Sequence, residues 1–147
     1  LPPFNVKNLY IKGGDKLSFT RYIYHNQNPK NLQRAADCVF RATSFAFGIT
    51  WEQALRELTQ VALQVKDAPN SKRVLEKYLK LKGLEKQKQP VKSNNKKYKV
   101  REFCNKFFTG TFLVKTARHL TVVKDGYIYD TWDCGEKCVG NYWRVSN

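Results

Sequence analysis

The sequence is short of cysteine, of acidic residues and of long apolar runs. Four cysteines in 147 residues are too sparse for a disulfide scaffold, so we expect reduced thiols and a cytoplasmic protein. No apolar run approaches the roughly 20 residues that a membrane-spanning helix needs, so we expect no membrane partner. The composition therefore argues against a disulfide-rich secreted scaffold and against a membrane-spanning protein.

What the sequence does contain is typical of a globular protein. Apolar residues make up 41% and aromatic residues 14% of the chain, and 147 residues fit one domain over 1–147. The 27 Lys and Arg against 12 Asp and Glu give a formal net charge of +15. A charge of this size favours anionic partners, either nucleic acid or an acidic protein, and carries no information about the fold.

The first half of the chain is predicted to be mainly helical after an N-terminal extension. Residues 1–30 are predicted to form a hairpin extension around the turn Gly13-Gly14-Asp15, with strands over 8–12 and 17–24. A helix is then predicted from Asp37, a residue type that favours N-caps, to Phe47, before Gly48. Because this helix is apolar on most sides, we expect it to be buried at the centre of the domain.

Two more helices and a set of strands are predicted to follow. The capping box Thr50-Trp51-Glu52-Gln53 opens the second helix, and the third lies between Pro69 and Gly83. Residues 84–97 are predicted to form an exposed Lys-rich loop, before a short helix around Phe103. The apolar period then changes to two, which predicts strands over 111–115, 119–124, 127–132 and 141–145. Helices followed by antiparallel strands indicate an α+β fold with a C-terminal antiparallel sheet.

Cys38 lies where a cysteine could be reactive. It opens the predicted central helix directly after Asp37, and a helix N-terminus lowers the pKa of a thiol, whose thiolate is the nucleophilic form. An isolated cysteine in such a helix is more often a small core residue. The choice between these interpretations depends on the second half of the chain.

The predicted hairpin at Asp125-Gly126 brings a histidine and a carboxylate together. A two-residue turn there places His119 opposite Trp132 and diagonal to Asp130, about 7–8 Å away at the backbone. Side chains of a strand alternate between its faces, so Asp130 lies on the face of His119, whereas Asp133 has the opposite parity. We therefore predict that Asp130 orients His119, as a third group orients the base of an activated nucleophile.

These motifs together resemble a known family. The chain order of Cys38, His119 and Asp130 is that of papain-like cysteine peptidases. Asp37-Cys38-Val39-Phe40-Arg41-Ala42 is similar to the cysteine motif of C39-type bacteriocin-processing peptidases and of small papain-like domains encoded by bacteriophages. His119-Leu120-Thr121-Val122-Val123 resembles their histidine strand, and Asp130-Thr131-Trp132 resembles the Asn-x-Trp of papain. The resemblance covers residues 31–132.

The resemblance implies a papain-like fold and a cysteine hydrolase that cleaves a peptide or isopeptide bond through an acyl-enzyme. Cys38 would attack, His119 would take and return the proton, and Trp132 would shield the bond between His119 and its acid. The family's oxyanion-hole glutamine lies six residues before the cysteine, where this chain has Leu32, so Gln33 is the candidate donor. The implied partner is a protein or peptide substrate, and no cofactor is expected.

Two alternatives stay open at this point. The same triad serves amidases and acyltransferases. The chain could also be a weakly active or inactive papain-like fold, of bacteriophage origin, that acts as a basic binding module or inhibitor. From Lys80 to Arg101 there are nine Lys and Arg and a single acid, Glu85, which is typical either of a solvated loop or of a site for nucleic acid or an acidic protein. The candidate anion-binding residues are Lys92, Lys96, Lys97 and Lys99.

A metal site is not expected. Cys134 and Cys138 have a spacing that suggests metal ligands, but a structural zinc usually needs two such pairs and the second pair is missing. His25 is expected to be a solvated loop residue, and Cys104 falls on an apolar helix face. A disulfide between Cys134 and Cys138 would require an oxidising environment.

Overall fold

The fold is α+β, as the sequence predicts, with three strands, then four helices and then four strands along the chain. The computed structural model describes residues 9–12, 16–19 and 21–147. In chain order the elements are β1 (Leu9–Lys12), β2 (Lys16–Phe19), β3 (Tyr22–Tyr24), α1 (Cys38–Phe47), α2 (Trp51–Val65), α3 (Lys72–Leu81), α4 (Val100–Lys106), β4 (Thr111–Thr116), β5 (His119–Lys124), β6 (Tyr127–Asp130) and β7 (Tyr142–Ser146).

The main sheet is mixed, so the prediction of a purely antiparallel sheet is wrong. Its strand order is β3-β6-β5-β4-β7. Strand β3 pairs in parallel with β6, whereas the other neighbours are antiparallel. Parallel neighbours need a long crossover connection, and here all four helices and two strands lie between β3 and β6. Apolar periodicity cannot reveal such a pairing between distant segments.

The N-terminal segment is divided between two sheets. Strands β1 and β2 form an antiparallel pair, and the predicted turn at 13–15 lies outside the described residues. The single strand predicted over 17–24 is two strands in the structure, since β2 ends at Phe19 and β3 begins at Tyr22. The N-terminal extension therefore supplies an edge strand of the main sheet.

Helix α1 has the limits that the sequence predicts. It begins at Cys38 and ends before Gly48, whose φ of 65° is the left-handed conformation that favours glycine. Asp37 occupies the N-cap position, but its side chain makes no capping hydrogen bond. Helix α2 is capped by Thr50, which accepts a hydrogen bond from the Gln53 N–H at 3.0 Å. None of the helices in the described residues is both long and apolar enough to cross a membrane.

The sheet carries an apolar cluster on each face. Alternate residues of β4 and β5 point to opposite sides, as the pleat of a strand requires. One side packs with α1, α2 and α3, and includes Leu113, Leu120 and Val122. The other side packs with α4, and includes Phe112, Val114 and Val123. The main sheet is therefore the central of three layers, and α1 is buried between it and α2.

The β5–β6 hairpin has the predicted turn and register. Asp125 and Gly126 have φ values of 48° and 78°, as a two-residue type I′ turn requires. Val123 pairs with Ile128, and Lys124 pairs with Tyr127. This register fixes the positions of the first residue of β5 and the last residue of β6, which are the predicted histidine and acid.

Candidate active site

The structure brings the three predicted catalytic residues together. Cys38 is the first residue of α1, His119 the first of β5 and Asp130 the last of β6. His119 Nε2 lies 2.6 Å from Asp130 Oδ2, a hydrogen bond between two buried side chains. The Cys38 thiol lies near enough to the His119 ring and to the backbone N–H of Leu120 for both to lower its pKa. Because Asp130 engages Nε2, Nδ1 is the ring nitrogen left to act on Cys38.

The surroundings of Cys38 favour its thiolate. Burial by itself raises the pKa of the thiol, because a charge is less stable away from water. The His119 ring and the Leu120 N–H, together with the positive charges of His119 and Arg41, outweigh burial, so the pKa of Cys38 lies below its usual value. A thiolate at the start of a helix gains further from the helix dipole.

The surroundings of His119 favour its protonated form. Burial by itself lowers the pKa of the imidazole. The hydrogen bond to Asp130 and the charge of that carboxylate outweigh burial, with contributions from Cys134 and Cys38, so the pKa of His119 is raised well above its usual value. The lowered pKa of Cys38 and the raised pKa of His119 both favour a thiolate–imidazolium pair.

Asp130 is held by the residue that follows it and by the N-terminal part of the described chain. Its Oδ1 accepts a hydrogen bond from the Thr131 N–H at 2.7 Å. Its backbone carbonyl accepts hydrogen bonds from the His25 N–H at 2.9 Å and from the Tyr22 hydroxyl at 3.2 Å. The parallel strand β3 therefore fixes the end of β6, and with it the carboxylate that orients His119.

A narrow cavity lies beside Cys38. The space open to the centre of a water molecule is about 10 Å³, roughly the room for one water. Polar and aromatic side chains line it, among them Gln27, Thr121 and Tyr129. Thr121 Oγ1 is buried and has no hydrogen-bond partner among the described residues. A buried hydroxyl usually has a partner, so a water or a polar group of a substrate would satisfy it here.

The predicted oxyanion residue does not lie at this cavity. Gln33 is exposed, in the loop before α1, whereas Gln27 lines the cavity together with Cys38. Gln27 Oε1 lies 2.6 Å from Nε2 of His25, which leaves the Gln27 amide NH₂ free to donate. His25 is half-buried against Phe45, with ring centroids 4.6 Å apart, and is not the solvated residue that the sequence suggests.

Trp132 and Asp133 lie beyond the end of β6, since this strand ends at Asp130 and not at residue 132 as predicted. The Trp132 ring is tilted over the His119 ring, with centroids 4.9 Å apart, and 40% of Trp132 remains exposed. Asp133 is exposed, and its Oδ1 accepts a hydrogen bond from the Gly135 N–H at 2.9 Å. Of the two neighbouring carboxylates, Asp130 alone contacts His119.

A buried ion pair that was not predicted from the sequence surrounds the nucleophile. Asp37 and Arg41, on either side of Cys38, form a salt bridge, and Arg41 Nη2 lies 3.7 Å from Asp130 Oδ1. Asp37 Oδ2 accepts hydrogen bonds from Asn28 Nδ2 at 2.9 Å and from Trp51 Nε1 at 3.0 Å. The available signal was an arginine four residues after an aspartate on a helix predicted to be buried, where a charge needs a partner.

Cys134 is a second neighbour that the sequence did not reveal. It is buried, and its Sγ lies 3.9 Å from Asp130 Oδ2. His119, Asp130 and Cys134 are the described residues whose donor atoms could contact one metal ion, all within 4.8 Å of one another. The 2.6 Å between Nε2 and Oδ2 is shorter than the roughly 3.3 Å between two ligands of a tetrahedral zinc. The arrangement is that of a hydrogen-bonded pair. All four cysteines are free.

Ion pairs within the chain neutralise part of the positive charge of the basic segment over 80–101. Residues 84–97 contain no helix or strand and are mostly exposed. Lys92 forms an ion pair with Glu102, and Lys99 forms one with Glu136. Lys96 and Lys97 are exposed and are in none of the ion pairs among the described residues. Two of the four candidate anion-binding residues are thus partly neutralised by the chain itself.

No protein-family model matches the chain, and neither a curated protein nor a solved structure is significantly similar to it. The function therefore has to be argued from the geometry around Cys38, His119 and Asp130.

Proposed function

We propose that this protein is a papain-like cysteine hydrolase that cleaves a peptide or isopeptide bond through an acyl-enzyme. The observation that carries the proposal is the grouping of Cys38, His119 and Asp130 at one site. It joins a thiol of lowered pKa at a helix start, a histidine of raised pKa and a buried carboxylate 2.6 Å from that histidine. These are the parts of an activated nucleophile with an oriented base.

The roles of the three residues follow from their contacts. The Cys38 thiolate attacks the carbonyl carbon of the substrate, a C–S bond forms, and the carbonyl oxygen becomes an oxyanion. His119 then gives its proton to the leaving amine as the C–N bond breaks, which leaves a thioester and a neutral imidazole. A water molecule loses a proton to His119 and attacks the thioester, and the acid product leaves as the thiolate–imidazolium pair re-forms. Asp130 accepts the Nε2–H of His119 throughout and so keeps the ring in one orientation.

Two groups are placed to stabilise the oxyanion. The backbone N–H of Cys38 belongs to the first turn of a helix, whose N–H groups have no partner within the helix. The amide of Gln27, at the cavity beside Cys38, supports its use as a second donor, in the role that the sequence assigned to Gln33. Losing one such donor costs on the order of 10²–10³ in rate.

The papain-like fold is part of the proposal. A central helix that begins with the nucleophile and packs on a sheet whose strand begins with the histidine supports it. The free cysteines support a reducing compartment, so we propose that the protein works in the cytoplasm of the producing or host cell. Amidases and acyltransferases use the same three side chains, and the identity of the acyl acceptor separates them.

Selective alkylation tests the nucleophile. Iodoacetamide at pH 6–7 is expected to modify Cys38 before Cys138, the cysteine that is exposed, because the surroundings of Cys38 lower its pKa. His119→Ala is expected to abolish this preference. Cys104 is a further control, since burial raises its pKa to about 12 and it should stay unmodified in the folded protein. Modification of Cys138 at the same rate as Cys38 would count against catalysis.

A library of fluorescence-quenched peptides tests the reaction class. We expect hydrolysis by the wild type and none by Cys38→Ala, whose fold should be intact because only one sulfur atom at a helix start is lost. Mass spectrometry should detect the acyl-enzyme on Cys38. Added hydroxylamine or amines should intercept it if the protein is an acyltransferase. Wild-type protein that forms no acyl-enzyme with any peptide would refute the peptidase assignment.

The alternative of a basic binding module has less support. Its main argument is the charge of the segment around Lys92–Lys99, and ion pairs with Glu102 and Glu136 reduce that charge. Tyr98 is the aromatic residue available within this segment, and both Lys92 and Lys106 lie over its ring. This leaves little room for a base to stack there.

A further inference from the structure

A second charged pair surrounds the nucleophile on its own helix. Asp37 precedes Cys38, and Arg41 lies one turn later, so both project near the start of α1. Both are buried, with 4% and 8% of their surface exposed. Arg41 Nη1 contacts Asp37 Oδ1, and the Arg41 N–H also donates to the Asp37 carbonyl at 2.9 Å. Two charges buried in this way must compensate one another.

Asp37 is anchored independently of Arg41. Its Oδ2 accepts hydrogen bonds from Asn28, in the loop that follows β3, and from Trp51, the first residue of α2. These neutral donors come from two other parts of the fold and hold the carboxylate in place. Because the Asp37 carboxylate is fixed, it also fixes one of the two terminal nitrogens of Arg41, Nη1.

The other terminal nitrogen of Arg41 reaches the catalytic carboxylate. Nη2 lies 3.7 Å from Asp130 Oδ1, beyond a normal hydrogen bond, whereas His119 Nε2 lies 2.6 Å from Asp130 Oδ2. Asp130 is thus shared unequally between two cations, and His119 has the closer contact. A guanidinium released from Asp37 could close this gap and form a bidentate pair with Asp130, the geometry that arginine prefers with carboxylates.

We propose that Asp37 and Arg41 act together as positioning residues, in which Asp37 restrains Arg41 so that Asp130 remains available to His119. The inference rests on the proposed function, since it concerns the same thiolate–imidazolium pair. Arg41 supplies a positive charge beside the thiolate, and Asp37 limits how far that charge competes for Asp130. Neither residue contacts the reacting bond.

Other groups also face His119 and stay constant in the test. They are Cys38 on α1, Cys134 in the loop after β6, and Lys115 on β4, whose Nζ lies 3.3 Å from the His119 carbonyl oxygen. Asp130 is the carboxylate in contact with the ring. Substitutions at Asp37 and Arg41 therefore alter the local charge, while the other side chains that set the titration of His119 are not replaced.

The test is the pH dependence of Cys38 alkylation in the full chain, combined with an NMR titration of the His119 ring. Asp37→Asn leaves an uncompensated Arg41 that moves toward Asp130. The inflection of the Cys38 alkylation profile and that of the His119 titration are therefore both expected to move to lower pH, by about one pH unit. Arg41→Gln removes that positive charge, so the Cys38 inflection is expected to move up by a similar amount. In the double variant Asp37→Asn, Arg41→Gln, the two effects should largely cancel.

Matched controls and a conservative variant separate this role from a merely structural one. Glu52→Gln and Arg56→Gln remove the same charges from exposed positions of α2 and should leave both inflections within about 0.2 pH units, since surface charges are screened. Arg41→Lys keeps the charge and should keep the Cys38 inflection near that of the wild type. Arg41→Lys also replaces Arg41→Gln as the test if the latter fails to fold. The double variant Asp37→Asn, Arg41→Lys should then show both inflections at lower pH.

The outcomes are distinct. Shifts of the same sign in Asp37→Asn and Arg41→Gln, or unchanged inflections in well-folded variants, would overturn the inference. The proposed function fails separately, if wild-type Cys38 is no more reactive than Cys138 or if no acyl-enzyme forms. If the proposed function fails, the NMR titration of His119 still measures the effect of the Asp37–Arg41 ion pair.

Discussion

Replacing Asp130 by asparagine tests the core of the proposed site. The substitution keeps the shape of the side chain but removes the charge that His119 contacts at 2.6 Å. A hydrogen bond to a charged group contributes about 1.5–3 kcal/mol, so the pKa of His119 should fall by roughly one to two units. The asparagine amide can orient His119 through its oxygen, which accepts from Nε2–H, or it can donate to Nε2 and stabilise the other tautomer of the ring. The second arrangement lowers activity by up to about 10⁴-fold.

The sign of the pH dependence follows from the two shifted pKa values. The reactive thiolate–imidazolium pair exists above the lowered pKa of Cys38 and below the raised pKa of His119. In Asp130→Asn the upper limit should move to lower pH, because the imidazolium has lost its carboxylate. An ordinary thiol is only about 0.3% ionised at pH 6, so the loss of the pair should be evident as slow alkylation at this pH.

The assay is the rate of Cys38 alkylation from pH 5 to pH 9, followed by peptide hydrolysis. Asp133→Asn is the matched control, because it removes the same charge three residues away and its Oδ1 can still accept the Gly135 N–H. We expect the control to behave like the wild type. Equal losses in the two variants, or a larger loss in Asp133→Asn, would refute the assignment of Asp130 and the register on which it rests.

Two further predictions concern the basic segment and the hairpin turn. The double variant Lys96→Gln, Lys97→Gln should weaken any binding to DNA, as measured by fluorescence anisotropy, and leave Cys38 alkylation unchanged. The slope of the logarithm of the binding constant against the logarithm of the salt concentration should become shallower by up to about 1.8. Unchanged binding would mean that these lysines are a solvated surface. Gly126→Ala should lower the free energy of unfolding by at least about 1 kcal/mol, as measured by urea denaturation, because φ is 78° and a Cβ would lie 3.3 Å from the Cys104 carbonyl oxygen. Gly83→Ala is its control: φ is 80° with no atom within 4 Å, so it should be less destabilising.

Local sequence signals were sufficient for the helices and for the hairpin that carries the histidine and the acid. Asp125-Gly126 specifies a turn in which both residues have positive φ. The strict alternation of side chains then places Asp130 on the side of His119. Cys38 at the start of α1 followed from the helix-starting and helix-ending residues around it. These features depend on residues that are close together in the sequence.

Features that depend on distant segments could not be predicted. The parallel pairing of β3 with β6 joins Tyr24 to Asp130, and no periodicity encodes such a pairing. The loop after β3 places Gln27 at the cavity beside Cys38, and a motif spacing of six residues before the cysteine points to Gln33 instead. Asp37 favoured an N-cap on local grounds, but tertiary contacts with Asn28, Arg41 and Trp51 engage its side chain.

The distance along the chain between Cys38 and Asp130 has a consequence for biosynthesis. The hydrogen bond from Tyr22 to Asp130 spans 108 residues, so the site needs both ends of the described chain. A ribosome that adds about 5–20 residues per second makes Cys38 several seconds before it makes His119 and Asp130. During that time the thiol has neither its base nor the carboxylate, and its reactivity is that of any free cysteine. A nascent chain is thus protected from its own nucleophile until the C-terminal hairpin has been made.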